Sequence, residues 1–334
     1  MTCFIRSKPE KVLPLQFRRG IYPCVGDVGL EIECEGNIFN KSEDIIAKYW
    51  SFTQDHSLRG EDNAEYVLAK PIAFSKVEEA VSLLWADFAD NDTTLDESNR
   101  TSVHVHLNFQ KKYITDVATF ACLWFIFEDI LATYAGEHRV GNLFCLRAKD
   151  APAIIYTIRD KLQAGLKRST NDNYKYSGFN IRPLDTLGSI EIRFMRGCIK
   201  AQEVIDWVRI VQCLYEAIDD YKDPRDIISF YSYAGPNVFF NKFLGSVEHL
   251  IRKGVPSLDE MISRLYEGVY FAQEIAFCRD WNKVIRVEGR VDPFNRHTFD
   301  EDSEDGVKEL PTIYPISYPA TEEEDEDENT ALPV

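Results

Sequence analysis

The sequence predicts an α+β protein in which helices cover one face of an antiparallel sheet. Two observations favour this class. Segments that alternate with period two are interleaved with helical segments before residue 200, whereas residues 201–290 are mostly helical and no internal repeat is present. A hydrophobic fraction of 45% in 334 residues is also sufficient for a large core without disulfides.

The individual elements follow from hydrophobic periodicity and turn residues. The predicted strands are 28–36, two strands within 50–72 around a polar turn, 102–109, and a hairpin that pairs 175–183 with 188–197. The predicted helices before residue 200 are about 42–49, 75–89, 114–135 and 151–165. Later helices are expected to break at Pro224, Gly235-Pro236 and Pro256. Because the helix at 114–135 is hydrophobic nearly all round, it is expected in the core.

The charge of the chain is uneven. Lys plus Arg number 38 and Asp plus Glu number 55, which gives a net charge of −17, and residues 300–334 alone hold thirteen carboxylates and one lysine. Such a chain repels phosphate backbones, so we expect no nucleic-acid partner. The carboxylates from Glu322 to Glu328 repel one another, and this run has no apolar residue whose burial could offset the entropy lost on ordering. A disordered acidic tail is therefore predicted at 300–334.

The amino-terminal segment and the cysteines both indicate a cytoplasmic protein. The first residues lack the apolar stretch of a signal peptide, and no apolar run reaches membrane-spanning length, so no membrane partner is expected. Eight cysteines are scattered without metal-binding spacing, and reduced, mostly buried thiols are predicted: Cys3, Cys24, Cys34, Cys122, Cys145, Cys198, Cys213 and Cys278.

Three predicted strands share a two-faced design, with an apolar side for the core and ionisable side chains about 6.6 Å apart on the other. The polar faces carry Glu31, Glu33 and Glu35, then Ser102, His104, His106 and Asn108, then Glu191 and Arg193. One interpretation is a half-exposed sheet whose charges face water. The other is a binding face, because carboxylates, imidazoles and guanidinium groups ligate divalent ions and phosphates.

Several kinds of site are compatible with this face. Paired carboxylates suit a two-metal site for phosphoryl transfer, and a histidine ligand favours tolerance of Mn²⁺. Zinc is an alternative for the HxH pair, with His56 as an additional ligand. The chain has neither a P-loop nor a GxGxxG motif, so ATP would have to be held by metals and arginines. Arg193 could bind a phosphate, or it could instead form an ion pair with a neighbouring strand.

The order of these motifs resembles the amidoligase family over roughly residues 26–215. The motifs are GLEIE at 29–33, Asp55 with Ser57 and Glu65, HVH at 104–106, Arg139 with Asn142 and Cys145, KYSGFNIRPL from 175, and IEIR at 190–193. The resemblance implies a glutamine synthetase-like catalytic domain, with a curved antiparallel sheet and helices on its outer face. It also implies four parts: an extension at 1–25, a catalytic core at 26–215, a helical part packed on the core at 216–299, and the tail at 300–334.

The activity that the resemblance implies is ATP-dependent joining of a carboxylate to an amine through an acyl-phosphate, with two or more Mg²⁺ or Mn²⁺ ions. Glu31 and Glu65, with Asp55 as a further candidate, would hold one ion. The other ion would be held by Glu33, Glu191 and one histidine of the HVH motif, His106 in preference to His104.

The resemblance also assigns the cationic residues. Arg193 would stabilise the transferred γ-phosphate, and Arg139 would bind a phosphate or the substrate carboxylate. Lys175 stands where the family often has arginine, so a bidentate contact there is in question. The loop at 166–176 is either a lid that protects the acyl-phosphate from water or an ordinary surface loop.

The substrates are left open as an amine and a carboxylate from an amino acid, a peptide, a cell-wall fragment or a protein. A phosphotransferase of the guanidino-kinase type on the same fold is one alternative function. A non-catalytic structural or interaction protein is another. The expected location is the cytoplasm, or the host cytoplasm for a phage-encoded chain.

Overall fold

The computed structural model describes residues 2–6, 25–38, 47–60, 63–166, 176–281 and 284–288. Several sequence predictions fall outside these residues. They are the acidic tail at 300–334, most of the helix at about 42–49, and most of the loop at 166–176, including Lys175.

The described strands alternate with helices and then give way to helices, as the α+β class requires. In chain order they are β1 (Thr2–Arg6), β2 (Val28–Cys34), β3 (Gly36–Asn37), β4 (Trp50–Thr53), β5 (Ala64–Leu68), β6 (Thr94–Leu95), β7 (Ser102–Asn108), β8 (Phe179–Asn180), β9 (Ser189–Arg196) and β10 (Val284–Glu288). The main sheet has six strands in the order β4-β5-β2-β7-β9-β8, and every neighbouring pair is antiparallel. The predicted antiparallel sheet is therefore confirmed.

The helices pack on the apolar side of this sheet. They are α1 (Val77–Asp90), α2 (Ile114–Ala135), α3 (Ala153–Gln163), α4 (Ala201–Ala217), α5 (Pro224–Leu244), α6 (Glu248–Gly254), α7 (Leu258–Ser263) and α8 (Tyr266–Ala276). Helix α2 contacts β9 on one side and α5 and α8 on others, which confirms its predicted place in the core. The Trp124 ring stacks on Phe194 of β9 at 5.6 Å and meets Trp207 of α4 edge-on at 6.4 Å, so one indole joins the sheet to the helical layer.

The helix breaks lie where the sequence predicts them. Pro224 begins α5 at a position where a helix needs no N–H donor, and the Asp223 side chain accepts a hydrogen bond from the Arg225 amide. Inside α5, Gly235 has a φ of 76°, directly before Pro236, so the helix kinks there. Pro256 separates α6 from α7. Within the described residues, no helix has the length and apolar character that a membrane span requires.

Strands β1 and β10 were not predicted, nor was the two-residue strand β6, which pairs with β3. Strands β1 and β10 form a two-stranded sheet, although residues 1–25 show no regular pattern and the region up to 290 reads as mostly helical. The chain divides by its internal contacts into two compact units: Arg6–Val284, and Met1–Ile5 with Ile285–Val334. Residues 26–215 and the helices after 216 lie within the first unit.

Glu128 is a carboxyl group buried within α2. Its Oε2 atom accepts a hydrogen bond from the Ala148 amide at 2.8 Å, whereas its Oε1 atom has no hydrogen-bond partner. Burial raises the pKa of Glu128 to about 8, against the opposing effect of the Ala148 hydrogen bond. The folded protein therefore keeps a proton on Glu128 at pH values where the unfolded chain releases it.

This difference predicts a pH-dependent stability. As the pH rises from the ordinary value of 4.5 to about 8, the unfolded state loses its proton first, so the free energy of unfolding falls. Above that window the contribution is constant. The Glu128→Gln variant should lack this pH-dependent component. The difference in the free energy of unfolding between wild type and variant should therefore change by up to about 1.4 kcal/mol per pH unit. Urea unfolding at several pH values measures it, with Glu260→Gln, an exposed glutamate, as the control. A difference that is independent of pH would show that Glu128 ionises normally.

Candidate metal centre

The register of the central strands brings the predicted polar side chains onto one face of the sheet. Directly opposed pairs on neighbouring strands are Glu31 with His104, Glu33 with Glu65, and His106 with Glu191. Because side chains alternate between faces, the residues between these pairs point into the core, and Leu30, Ile32, Val105 and Ile192 are all buried. The apolar core thus determines which face the ionisable groups share.

Three of these groups converge on one point. His104 Nδ1 lies 3.0 Å from Glu31 Oε2 and 3.4 Å from Glu191 Oε1, and one ligand atom of each residue falls within 4.8 Å of the others. The His104 residue is only 2% exposed. An imidazole nitrogen and two carboxylate oxygens in this arrangement form a donor set suited to a divalent cation.

Ser102 determines the tautomer of His104. The Ser102 hydroxyl donates to Glu33 Oε2 at 2.6 Å and also lies 2.7 Å from His104 Nε2. The hydroxyl has one hydrogen, so the ring nitrogen must donate in the second contact. In the neutral ring, Nδ1 then presents a lone pair to the carboxylates of Glu31 and Glu191. A positive centre between these atoms, either a proton or a metal ion, is needed to offset their repulsion.

His106 lies on the other side of Glu31. Its Nε2 atom is 3.1 Å from Glu31 Oε1 and 3.9 Å from Glu191 Oε1, yet it is buried and makes no aligned hydrogen bond. Its Nδ1 atom contacts Ser189 Oγ at 3.2 Å. Burial acts to lower the pKa of His106, but the Glu31 and Glu191 carboxylates outweigh it and raise that pKa. The buried Nε2 atom is therefore a second nitrogen directed at the carboxylate cluster.

The structure groups these residues differently from the two predicted sets. Glu31 and Glu191 were assigned to separate ions, whereas both lie within 3.4 Å of the same nitrogen of His104. His104, rather than His106, is the imidazole of the tightest group. The reason is the register, which places His104 opposite Glu31 and His106 opposite Glu191, so that each histidine is close to both carboxylates.

Glu65 and Asp55 lie at the margin of the cluster. Burial and the negative charges of Glu31, Glu33 and Asp55 raise the pKa of Glu65 to about 7. Burial is the largest of these causes, and the neighbouring negative charges act in the same direction. The Asp55 carboxylate accepts hydrogen bonds from the Ser57 amide and hydroxyl, at 2.8 and 2.9 Å, so these atoms are engaged in a local turn.

Arg193 forms its ion pair with Glu191 on its own strand, through Nη1, rather than with a neighbouring strand. Its Nε atom is buried and has no hydrogen-bond partner among the residues that the structure describes. On the other oxygen of Glu191, Asn180 Nδ2 donates at 2.6 Å. Asn180 was not among the predicted site residues. The feature that would identify it is the register of the hairpin, which places Asn180 opposite Glu191. Together the two side chains hold the Glu191 carboxylate in place.

The contacts of Arg139 do not favour the predicted role in binding a phosphate or a substrate carboxylate. The residue is 1% exposed, and its Nε and Nη2 atoms donate to the main-chain carbonyls of Phe194 and Arg193 at 2.9 and 2.8 Å. The β8 side of the hairpin ends at Gly178, whose carbonyl accepts from the Arg193 amide. Arg139 therefore provides hydrogen bonds to two main-chain carbonyls of β9, and one of these carbonyls belongs to Arg193.

The Arg139→Met variant is expected to be less stable by about 2 to 4 kcal/mol, because two buried carbonyls of β9 lose charge-assisted hydrogen bonds. Urea unfolding followed by tryptophan fluorescence measures this loss. Arg59→Met, at an exposed arginine, provides the matched control and should change stability by less than about 0.5 kcal/mol. Equal stability of both variants would contradict a structural role for Arg139.

The zinc alternative gains no support. His56 is exposed and does not belong to the cluster. In the described part of the chain, the His, Cys, Asp and Glu groups close enough to hold one ion contain no cysteine. The cysteines whose side chains are described are free, and Cys34, Cys122, Cys145 and Cys198 are buried. Carboxylate oxygens are ligands that Mg²⁺ and Mn²⁺ prefer, and imidazole is a ligand that Mn²⁺ shares with zinc.

The fold and the site define an α+β protein with a carboxylate and imidazole cluster on the polar face of a six-stranded antiparallel sheet. Neither a scan of protein-family models nor a search of curated proteins gives a match to this chain.

Proposed function

We propose that this chain is an ATP-dependent carboxylate-amine ligase of the amidoligase type, with a glutamine synthetase-like catalytic fold. The observation that carries the proposal is the convergence of His104 Nδ1, Glu31 and Glu191 beside Arg193 on one sheet face. The order of the sequence motifs adds the resemblance to amidoligases. The proposed location is the cytoplasm, and the proposed substrates are an amine and a carboxylate.

The donor set fits a divalent cation for two reasons. His104 Nδ1 lies 3.0 Å from a carboxylate oxygen of Glu31 and 3.4 Å from one of Glu191, and His106 Nε2 is buried beside them without an aligned hydrogen bond. Glu31, His104 and Glu191 would hold one Mg²⁺ or Mn²⁺, and Glu33, Glu65 and His106 are the nearest further ligands. When bound, such ions supply charge neutralisation to the phosphates of ATP.

The protein residues supply position and charge. The substrate carboxylate attacks the γ-phosphorus of ATP, which gives an acyl-phosphate and ADP, and the amine then displaces phosphate to form the amide. This chemistry needs alignment and neutralised charge rather than a protein nucleophile. Arg193 would donate to the oxygens of the transferred phosphoryl group, and Asn180 and Glu191 would fix the direction of its guanidinium.

ADP release tests this proposal. The full chain is incubated with ATP, Mg²⁺ or Mn²⁺, and pairs drawn from a panel of amino acids and short peptides. The proposal predicts that ADP release rises only when an amine and a carboxylate are both present, and that mass spectrometry detects the amide. An acceptor that becomes phosphorylated instead would indicate a phosphotransferase. No ATP turnover with any pair would contradict the proposal.

A further inference from the structure

A cavity lies at the end of the sheet, and its lining contains none of the candidate metal ligands. Its volume is about 410 Å³, which is within the range of ligand pockets, about 300 to 1,000 Å³. The Asn108 amide donates to the Asp27 carbonyl at 2.9 Å, so both residues extend the pairing of β2 with β7. Asp27 is four residues from Glu31, or about 13 Å along an extended strand. None of the residues that line the cavity belongs to the Glu31, His104 and Glu191 group.

Aromatic side chains form part of the wall of this cavity. Phe74 and Tyr215 meet edge to face at 5.7 Å, and the Tyr215 hydroxyl donates to the Asn108 carbonyl at 2.5 Å. Lys112 forms an ion pair with Asp219 and lies 5.1 Å from the centre of the Tyr215 ring. These contacts already occupy Lys112, Asp219 and Tyr215, so the ligand-binding charges must come from other lining residues.

The remaining charges of the lining are of both signs. Lys111 and Lys222 line the cavity, are exposed, and form no hydrogen bond or ion pair with any described residue. Asp27, which is half-buried, likewise has no partner for its carboxylate in the described ranges. A carboxylate at the wall of a cavity can accept charge-assisted hydrogen bonds from the ammonium group of a ligand. Charges of both signs that form no ion pair within the described residues surround this small cavity, and they match a ligand that also carries both signs.

We propose that this cavity binds a small zwitterionic amino acid, whose ammonium group contacts Asp27 and whose carboxylate contacts Lys111 or Lys222. The aromatic walls of Phe74 and Tyr215 would contact its side chain. The inference concerns binding alone and does not depend on ligase activity. Because the cavity lining contains none of the candidate metal ligands, binding needs neither a metal ion nor ATP.

Isothermal titration of the full chain in EDTA, without nucleotide, tests the proposal. The probes are L-alanine and L-glutamate, with propionate and ethylamine as compounds that each lack one of the two charges. We expect saturable binding of at least one amino acid, at least about tenfold tighter than either single-charge compound. No binding of either amino acid, or equal binding of propionate or ethylamine, would overturn the proposal.

Variants then locate the site. Asp27→Asn, and Lys111→Met combined with Lys222→Met, should each weaken amino-acid binding by at least about tenfold. Lys200→Met, at an exposed lysine outside the cavity lining, is the matched control and should bind normally. Unchanged affinity in the double lysine variant would overturn the proposal even if Asp27→Asn fails to fold. Binding that persists in Glu31→Gln separates this site from the metal centre, and loss of ligase activity alone leaves the inference intact.

Discussion

Replacement of Glu31 by glutamine should reduce metal-dependent ATP turnover by at least about 100-fold. Glu31 contacts both histidines of the cluster, at 3.0 Å from His104 Nδ1 and 3.1 Å from His106 Nε2. The neutral amide removes one negative charge from the donor set and presents an N–H group where an oxygen ligand is needed. Steady-state ADP release measures the effect.

Two further variants make this result specific. Glu31→Asp keeps the charge but shortens the side chain, so it should retain more turnover than Glu31→Gln. Glu260→Gln, at an exposed glutamate of α7, should have wild-type turnover. Thermal unfolding should show that Glu31→Gln remains folded, because glutamine keeps the shape of the side chain and the Glu31 side chain is 26% exposed. Full ATP turnover in a folded Glu31→Gln variant would show that Glu31 is not a ligand of the catalytic metal.

Replacement of Arg193 by methionine should lower kcat by about 100- to 1,000-fold, with a smaller change in the KM for ATP. The reason is that its guanidinium, in addition to its ion pair with Glu191, would stabilise the negative charge that develops on the phosphoryl group during transfer. Arg193→Lys should give an intermediate kcat, because an ammonium group keeps the charge but not the forked geometry.

The matched control for Arg193 is Arg59→Met, which removes an exposed guanidinium from the loop before β5. It should leave kcat unchanged. An Arg193→Met variant that alters only the KM would show that this residue binds substrate equally in the ground state and the transition state. An unchanged kcat and KM would limit Arg193 to its ion pair with Glu191.

The central part of the site could be predicted because strand alternation is a local property. Once Leu30, Ile32, Val105 and Ile192 are assigned to the core, the neighbouring residues must share the opposite face. The alternation also predicts strands β2, β7 and β9 closely. The grouping of ligands could not be predicted in the same way, because it depends on which residue lies opposite which across two strands.

Other features depend on contacts that sequence periodicity does not contain. The placement of Arg139 depends on tertiary contacts, since its guanidinium donates to the Phe194 and Arg193 carbonyls of β9. Asn180 is apparent as a site residue only when the hairpin register sets it beside Glu191. Strand β1 pairs with β10 from the far end of the chain, and such a long-range pairing has no local signal.

The most direct test of the account is Mn²⁺ binding to the full chain, followed by electron paramagnetic resonance. We expect saturable binding that Mg²⁺ displaces, that weakens by at least about tenfold in Glu31→Gln, and that is unchanged in Glu260→Gln. Mn²⁺ that remains free, or that binds equally to wild type and Glu31→Gln, would contradict a metal centre on this face of the sheet.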